Sequence, residues 1–449
     1  MTSDRSGPPP GCPAHASRTP LYGPDFTADP TRVYAELRRH GSIAPVEIAP
    51  GTPAMLVIGY HTALEVLREP ARFPRDPRRW QARVPADCPV LPMMGYRPNA
   101  LFTDGAVHAR VRGAATSALA RIDLNNLRSY VEQSADMLID RFGPAGKADL
   151  ISEYARILPL MVFNLLFGCP PDLGDRLVEG MSGIFELVEP EKANELLTRT
   201  LFDLVALKRA QPGPDMTSWL MEHPADLTDE EMVHQLVTLQ AGGTEPEMNL
   251  IGNGMRLLLS DDRFAHALSG GSLAIEDAID EILWTDPPIA NYATHYPLSD
   301  ISLAGTHLPE GEPVVISFTG ANTDPSLPFE RTGNRAHLAW GAGPHTCPAQ
   351  MQARLIASVA IEKLLDRLPD MRLAVPVERL TWRPGFFHRG LTALPVEFVP
   401  LPAPAPALAE HREVTPPPSW PAETPLPRAS SRSRSQHWRS TLMGWWRGQ

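Results

Sequence analysis

Cys347 closes the run Trp340-Gly341-Ala342-Gly343-Pro344-His345-Thr346-Cys347-Pro348-Ala349, in which glycines and a proline set the backbone just before a helical pattern begins. From Ala353 onward, Ala357, Ile361, Leu364, Leu365 and Leu368 recur at helical spacing, which predicts an amphipathic helix with an apolar face for a core. Pro348 suits a first turn, where the lost amide had no intrahelical partner. Cys347 is therefore expected near the N-cap, facing free N–H groups and the positive end of the helix dipole. Both favour thiolate, the form that ligates metals. The bland alternative is a buried free cysteine in a Gly-rich turn. A zinc site is disfavoured, because Cys12, Cys88 and Cys169 form no C-x-x-C pair.

Two further stretches carry candidate groups. In Asp104-Gly105-Ala106-Val107-His108-Ala109-Arg110-Val111-Arg112, the side chains of His108 and Arg112 share one helix face. They read either as a solvated basic patch or as an anion site, for which Arg offers a planar fork. Gly242-Gly243-Thr244-Glu245-Pro246 falls in the middle of a long helical pattern. Thr228-Asp229-Glu230-Glu231 reads as its capping box, and Met232, Leu236, Leu239, Leu250, Met255, Leu258 and Leu259 extend it for about thirty residues. Pro246 forfeits the bond to the Gly242 carbonyl and clashes with it, so a kink is expected there.

The elements that must position these groups are mostly helical. After Asp29-Pro30 a short helix ends at Gly41, and strand-like runs at Ile43 to Ile48 and Ala54 to Ile58 flank a Pro50-Gly51 turn. Residues 70 to 100 read as a long loop. Helical patterns then run from Leu127 to Phe142, Leu150 to Phe167, Leu173 to Leu187 and Ala193 to Lys208, and another around Ile275 to Leu283 stops at Asp286-Pro287-Pro288. Short strands are expected at Ile301 to Leu303 and Val314 to Phe318. The fold class expected is mainly α.

Composition bounds the partners. The 449 residues carry 41 basic and 52 acidic side chains, a net charge of -11, which argues against a nucleic-acid partner. Four widely spaced cysteines and the lack of a bilayer-length apolar run point to a cytoplasmic protein. Residues 1–20 read as disordered, 21–400 as one domain, 401–427 as a Pro/Ala-rich linker and 428–449 as a basic tail. That tail holds five arginines, no acids, and Trp438, Trp445 and Trp446. It is either a disordered end or an amphipathic segment for a peripheral membrane contact or a protein partner.

Taken in order, these stretches resemble the cytochrome P-450 family. W-G-x-G-x-H-x-C is similar to its haem-binding loop, usually F-x-x-G-x-H/R-x-C-x-G, with Trp340 in place of Phe and Ala349 in place of Gly. The resemblance implies that Cys347 is the axial thiolate ligand of haem iron. It places His345 near a haem propionate, and His108 and Arg112 on the helix that holds propionates. His295 stands where many members have a propionate-binding Arg. The family's long helix carries G-x-[DE]-T, which opens a groove for dioxygen beside Gly242, and Asn249-Leu250-Ile251-Gly252-Asn253 supports that register. Glu245 then takes the acid position, and Pro246 replaces the threonine whose hydroxyl helps deliver protons. Proline has no donor, so the relay is absent, supplied by water, or supplied by Thr244 or Glu247; Glu245 and Thr244 are the catalytic residues expected. The family's E-x-x-R becomes Glu281-Ile282-Leu283-Trp284, so Glu281 is expected to pair elsewhere, with Arg331. Ala321-Asn322-Thr323-Asp324-Pro325 is similar to the family's A-N-x-D-P segment.

The resemblance implies a triangular helical domain with a small β-rich lobe around haem b (iron protoporphyrin IX). It implies a monooxygenase that hydroxylates a small-molecule substrate with dioxygen and electrons from a ferredoxin and ferredoxin reductase. A second class uses peroxide directly. Relatives of that class have an Arg before the proline to bind a substrate carboxylate, which Glu245 would repel. A third alternative is a haem-binding partner protein with little turnover.

Overall fold

The computed structural model describes residues 18–185, 190–265, 272–327 and 333–403. A helical body is built around one long helix, Asp229–Ser260, and a β-rich lobe completes the fold. Its start is the expected capping box: Thr228 accepts from the Glu231 amide, and Glu231 accepts from the Thr228 amide. Such a cap contributes about 1 kcal/mol. The helix continues through Pro246 without interruption. Tertiary packing outweighs the lost hydrogen bond, because this helix is buried against Ile157–Leu166, Pro190–Ala210, Ser272–Thr285 and Gln350–Arg367.

The lobe is built on a five-stranded sheet in the order Thr19–Pro20, Ile43–Ala49, Thr52–Val57, Val314–Ser317, Asn291–His295. The hairpin pairs antiparallel with Val46 opposite Ala54, and Thr52–Val57 then pairs parallel with Val314–Ser317. Two apolar clusters cover its faces, one around Leu56, Tyr34 and Met94, the other around Val57, Phe73 and Phe318. A smaller sheet joins Lys147–Asp149, Pro395–Glu397 and Arg372–Leu373.

Several expectations change. Thr19 and Pro20, assigned to a disordered start, form a parallel edge strand on Val46 and Glu47, and Arg18 donates to the Ala54 carbonyl at 3.0 Å. An edge strand tolerates proline, since one side of its ladder needs no donor. The loop from 70 to 100 contains short helices at Arg78–Gln81 and Leu91–Met94. A helix at Met216–Glu222, capped by Asp215, has no counterpart in the sequence reading. The linker beyond Ala403 and the basic tail lie outside the described residues. Among the described residues no helix is long and apolar enough to cross a membrane.

Candidate active site

The backbone around Cys347 is tightly specified. Its amide donates to the Trp340 carbonyl at 2.8 Å, and its carbonyl accepts from Gln350 Nε2 at 3.2 Å. Gly343 is left-handed at φ 69°, and a Cβ there would lie 2.3 Å from the Leu67 carbonyl oxygen, so angle and contact both require glycine. The following helix starts at Gln350 with Ala349 as N-cap, which puts Cys347 ahead of the cap rather than at it. Burial pushes the thiol up, against the pull of the Ala349 amide and Arg112, and burial prevails. Burial thus opposes the expected bias toward thiolate, which a metal cation held by the sulfur would restore.

Cys347 lines a cavity of about 330 Å³ with mostly apolar walls, among them Leu101, Phe163, Leu166 and Leu239. On the long helix, Gly242, Gly243, Glu245, Pro246 and Glu247 face it. A Cβ on Gly242 would meet nothing within 4 Å, so the groove is open there. Gly243 differs: a Cβ would come within 2.1 Å of Phe163 Cζ. Thr244 does not line the cavity, and its hydroxyl is buried without a hydrogen-bond partner.

One end of the site is basic. The His108 and His345 rings stack with centroids 4.1 Å apart, and His345 Nε2 lies 3.6 Å from Asp104 Oδ1. Arg112 donates to the Thr346 carbonyl, tying its helix to the cysteine loop. His295 pairs through Nδ1 with the Phe73 carbonyl at 2.6 Å. Burial, reinforced by neighbouring arginines, holds these histidines low: His345 is pushed down to about 4, and His108 and His295 lie below their ordinary value. Arg75 belongs to the same group and was missed in the sequence. It sits in a Pro-rich stretch without periodicity, and its amide donates to Asp104 Oδ2 at 2.7 Å. His108 Nε2, His295 Nε2 and Arg75 Nε are all buried without a hydrogen-bond partner. Buried polar atoms are normally satisfied. Basic donors of this kind fit the carboxylates of a haem, whose apolar ring the cavity walls would suit.

The cavity wall holds a second polar group around Glu245. Arg383 Nη2 lies 2.9 Å from Glu245 Oε1, and His388 Nδ1 lies 3.4 Å from the same oxygen. Burial pushes Glu245 up, but His388 and Arg383 outweigh it and hold the carboxyl below its ordinary value. Its charge is therefore met within the protein, and the repulsion expected toward a substrate carboxylate is cancelled. Glu247 has no such partner: burial raises it well above the ordinary carboxyl range, and its Oε1 is unsatisfied.

The Glu281–Trp284 region departs from the expectation. Glu281 is not buried and unpaired; it lies 3.5 Å from Arg263, while Arg331 falls outside the described residues. The buried acid is Asp280, one residue earlier, which pairs with Arg335 at 2.9 Å and Arg354 at 2.6 Å. Asn322 explains the A-N-x-D-P run. Its amide donates to the Leu283 carbonyl at 2.9 Å and its oxygen accepts from the Leu338 amide at 2.7 Å, locking the preceding helix to the strand of chain before the cysteine loop.

No family model matches the chain. It is 33% identical over 393 residues to the cytochrome P450 monooxygenase PikC of Streptomyces venezuelae, an alignment covering 84% of this chain and 92% of that one. It is 28% identical over 398 residues to the vitamin D(3) 25-hydroxylase of Pseudonocardia autotrophica, covering 85% and 96%. Among solved structures, CYP154C4 from Streptomyces sp. ATCC 11861 superposes with a TM-score of 0.76 at 30% identity, covering 85% of this chain and 98% of that one.

Proposed function

Because this chain belongs to the cytochrome P450 family of haem-dependent oxidoreductases, we propose that it hydroxylates a bulky, mostly apolar small molecule, using dioxygen and electrons from a ferredoxin and its reductase. The observation that carries this reading is Cys347 in the wall of an apolar cavity with a basic end. Cys347 would hold the iron, and Arg75, His108, Arg112, His295 and His345 the propionates. When bound, haem b supplies the one-electron and dioxygen chemistry that no side chain provides.

The chain's own residues supply the rest. Leu101, Phe163, Leu166 and Leu239 exclude water and bind apolar surface at about 25 cal/mol per Å². A relative named for vitamin D(3) supports a substrate of that class. Glu245 holds negative charge beside the open groove at Gly242. A panel of apolar polycyclic compounds, screened for ligand-induced spectral shifts of the ferric protein, tests the substrate class; a panel that binds no better than short-chain alcohols would overturn it.

One observation favours a peroxide-driven reaction. Pro246 occupies the cavity wall and Thr244 does not line it. Turnover with peroxide matching that with a ferredoxin pair would favour this second reading.

A further inference from the structure

We propose that His388 is the side chain that holds and exchanges a proton at the cavity wall, with Glu245 and Arg383 positioning it, in place of the hydroxyl absent at Pro246. The proposal rests on the haem-thiolate reading above.

Residues 382–391 form a hairpin whose shape fixes the group. Trp382 and Leu391 bridge antiparallel, and the Arg383 amide donates to the Gly390 carbonyl at 2.9 Å. His388 bridges to Ile289, itself a cavity residue. The hairpin is then clamped to the long helix. Asn253 Nδ2 donates to the Arg389 carbonyl at 2.8 Å, and Gly390 lies so near Asn249 that a Cβ would fall 2.0 Å from its Oδ1. The helix turn carrying Glu245 and the hairpin carrying Arg383 and His388 therefore have one relative placement.

That placement gives one carboxylate oxygen two basic partners. Glu245 Oε1 lies 3.4 Å from Nδ1 and its charge favours the protonated ring, while Nε2 is left for exchange. Among the described residues no hydrogen bond occupies Nε2 of His388. Glu245, Pro246 and His388 all line the cavity, while the Arg383 side chain is 34% exposed, so the group spans from solvent to cavity. The imidazolium gives its Nε2 proton to an oxygen in the cavity and keeps its Nδ1 proton beside the Glu245 charge. A hydrated proton from solvent then restores the Nε2 proton, and no electron moves.

The charged neighbours set the pH range. Burial pushes His388 below its ordinary value, Glu245 pulls it back, and Arg383 adds to the push. Glu247, the other carboxyl of this wall, is held neutral by burial. Proton delivery should therefore improve as pH falls below the ordinary histidine value.

The test uses the full-length, haem-loaded protein with H388Q, E245Q and E247Q. Histidine NMR of the diamagnetic ferrous carbon monoxide form should show a resonance, absent in H388Q, that titrates below the ordinary histidine value and falls further in E245Q. Peroxide released per electron pair from a ferredoxin system should fall on acidification. In H388Q the release should be severalfold higher and lose its pH dependence. An unchanged release and pH profile in H388Q overturns the assignment and leaves a structural ion pair; a change confined to E247Q overturns it in favour of Glu247. Absence of a thiolate-type carbon monoxide band in the unmodified protein is a separate result, which overturns the haem-thiolate reading itself.

Discussion

The indole N–H of Trp284 donates to the backbone carbonyl of Asn334 at 2.6 Å, which ties the helix Ser272–Thr285 to the segment that leads into the Cys347 loop. Trp284 is 1% exposed and meets the His337 ring edge-on at 5.7 Å. An aromatic anchor thus closes the Glu281-Ile282-Leu283-Trp284 run.

Trp284→Arg should destabilise the protein. The new cation would enter one helical turn from Asp280, already paired with Arg335 and Arg354. The buried indole and its hydrogen bond would be lost as well, so a cost of about 2–4 kcal/mol is expected. Thermal melting measures it, and a rise in melting temperature would show that Asp280 or Glu281 lacked a partner.

His337 should make stability fall in acid. Burial pushes it down to about 4, Asp280 pulling it up and Arg354 and Arg335 adding to the push. The folded value lies below the unfolded one, so the unfolded chain takes up the proton first. Stability is complete above the ordinary histidine value and is lost as pH falls from there toward about 4, by on the order of 3 kcal/mol. His337→Phe keeps an edge for Trp284 and removes the proton. Melting temperatures at about pH 7 and about pH 5 should lie closer together in the variant than in the parent; equal gaps would exclude His337 as a source.

Cys347→Ser should abolish the thiolate-type carbon monoxide band of the reduced protein. Cys88 and Cys169 are the other free thiols among the described residues, and neither lines the cavity. Cys169 is moreover pushed up to about 12 by burial, which disfavours a thiolate. An unchanged spectrum in the variant would refute the ligand assignment.

What the sequence revealed, and what it concealed, divides by the range of the interaction. The Thr228–Glu231 capping box and the hairpin around Gly51 are local, and both stand as read. The cysteine loop was legible because its glycines answer a local backbone demand, seen in the left-handed Gly341 and Gly343. Arg75, Arg383 and His388 were not legible. Each sits on a Pro- or Gly-rich stretch with no periodic signal and reaches its site through long-range contacts. The E-x-x-R resemblance points to Glu281, whereas Asp280, one residue earlier, is the acid that turns inward. A motif match names a position and not the long-range partners Arg335 and Arg354 that decide which side chain is buried.

A chain ending at Ala403 should fold and bind haem with an unchanged spectrum. The Leu401 amide donates to the Gly143 carbonyl at 3.0 Å and its side chain covers Gly143, so the last anchor among the described residues is kept. A chain ending at Glu397 loses that anchor and the bond from Val399 to Asp370, and should melt earlier. Loss of haem from the longer form would show that the tail contributes to the site.

Pro246→Thr and Pro246→Ala separate two effects of the proline. The ring removes the amide that would bond to the Gly242 carbonyl, and it carries no hydroxyl beside the groove. Alanine restores the amide alone; threonine restores both. If the hydroxyl matters, the threonine variant should convert more of its electrons into product and release less peroxide than the alanine variant, by a factor on the order of ten in the product-to-peroxide ratio. If only the backbone matters, both should change together, because the tightened turn would narrow the open space beside Gly242. Equal coupling in parent and threonine variant, with poor coupling in H388Q, is the pattern expected if His388 already supplies the proton. Poor coupling in the parent, rescued only by threonine, would assign the deficit to the hydroxyl and leave Glu245, Arg383 and His388 as a structural group.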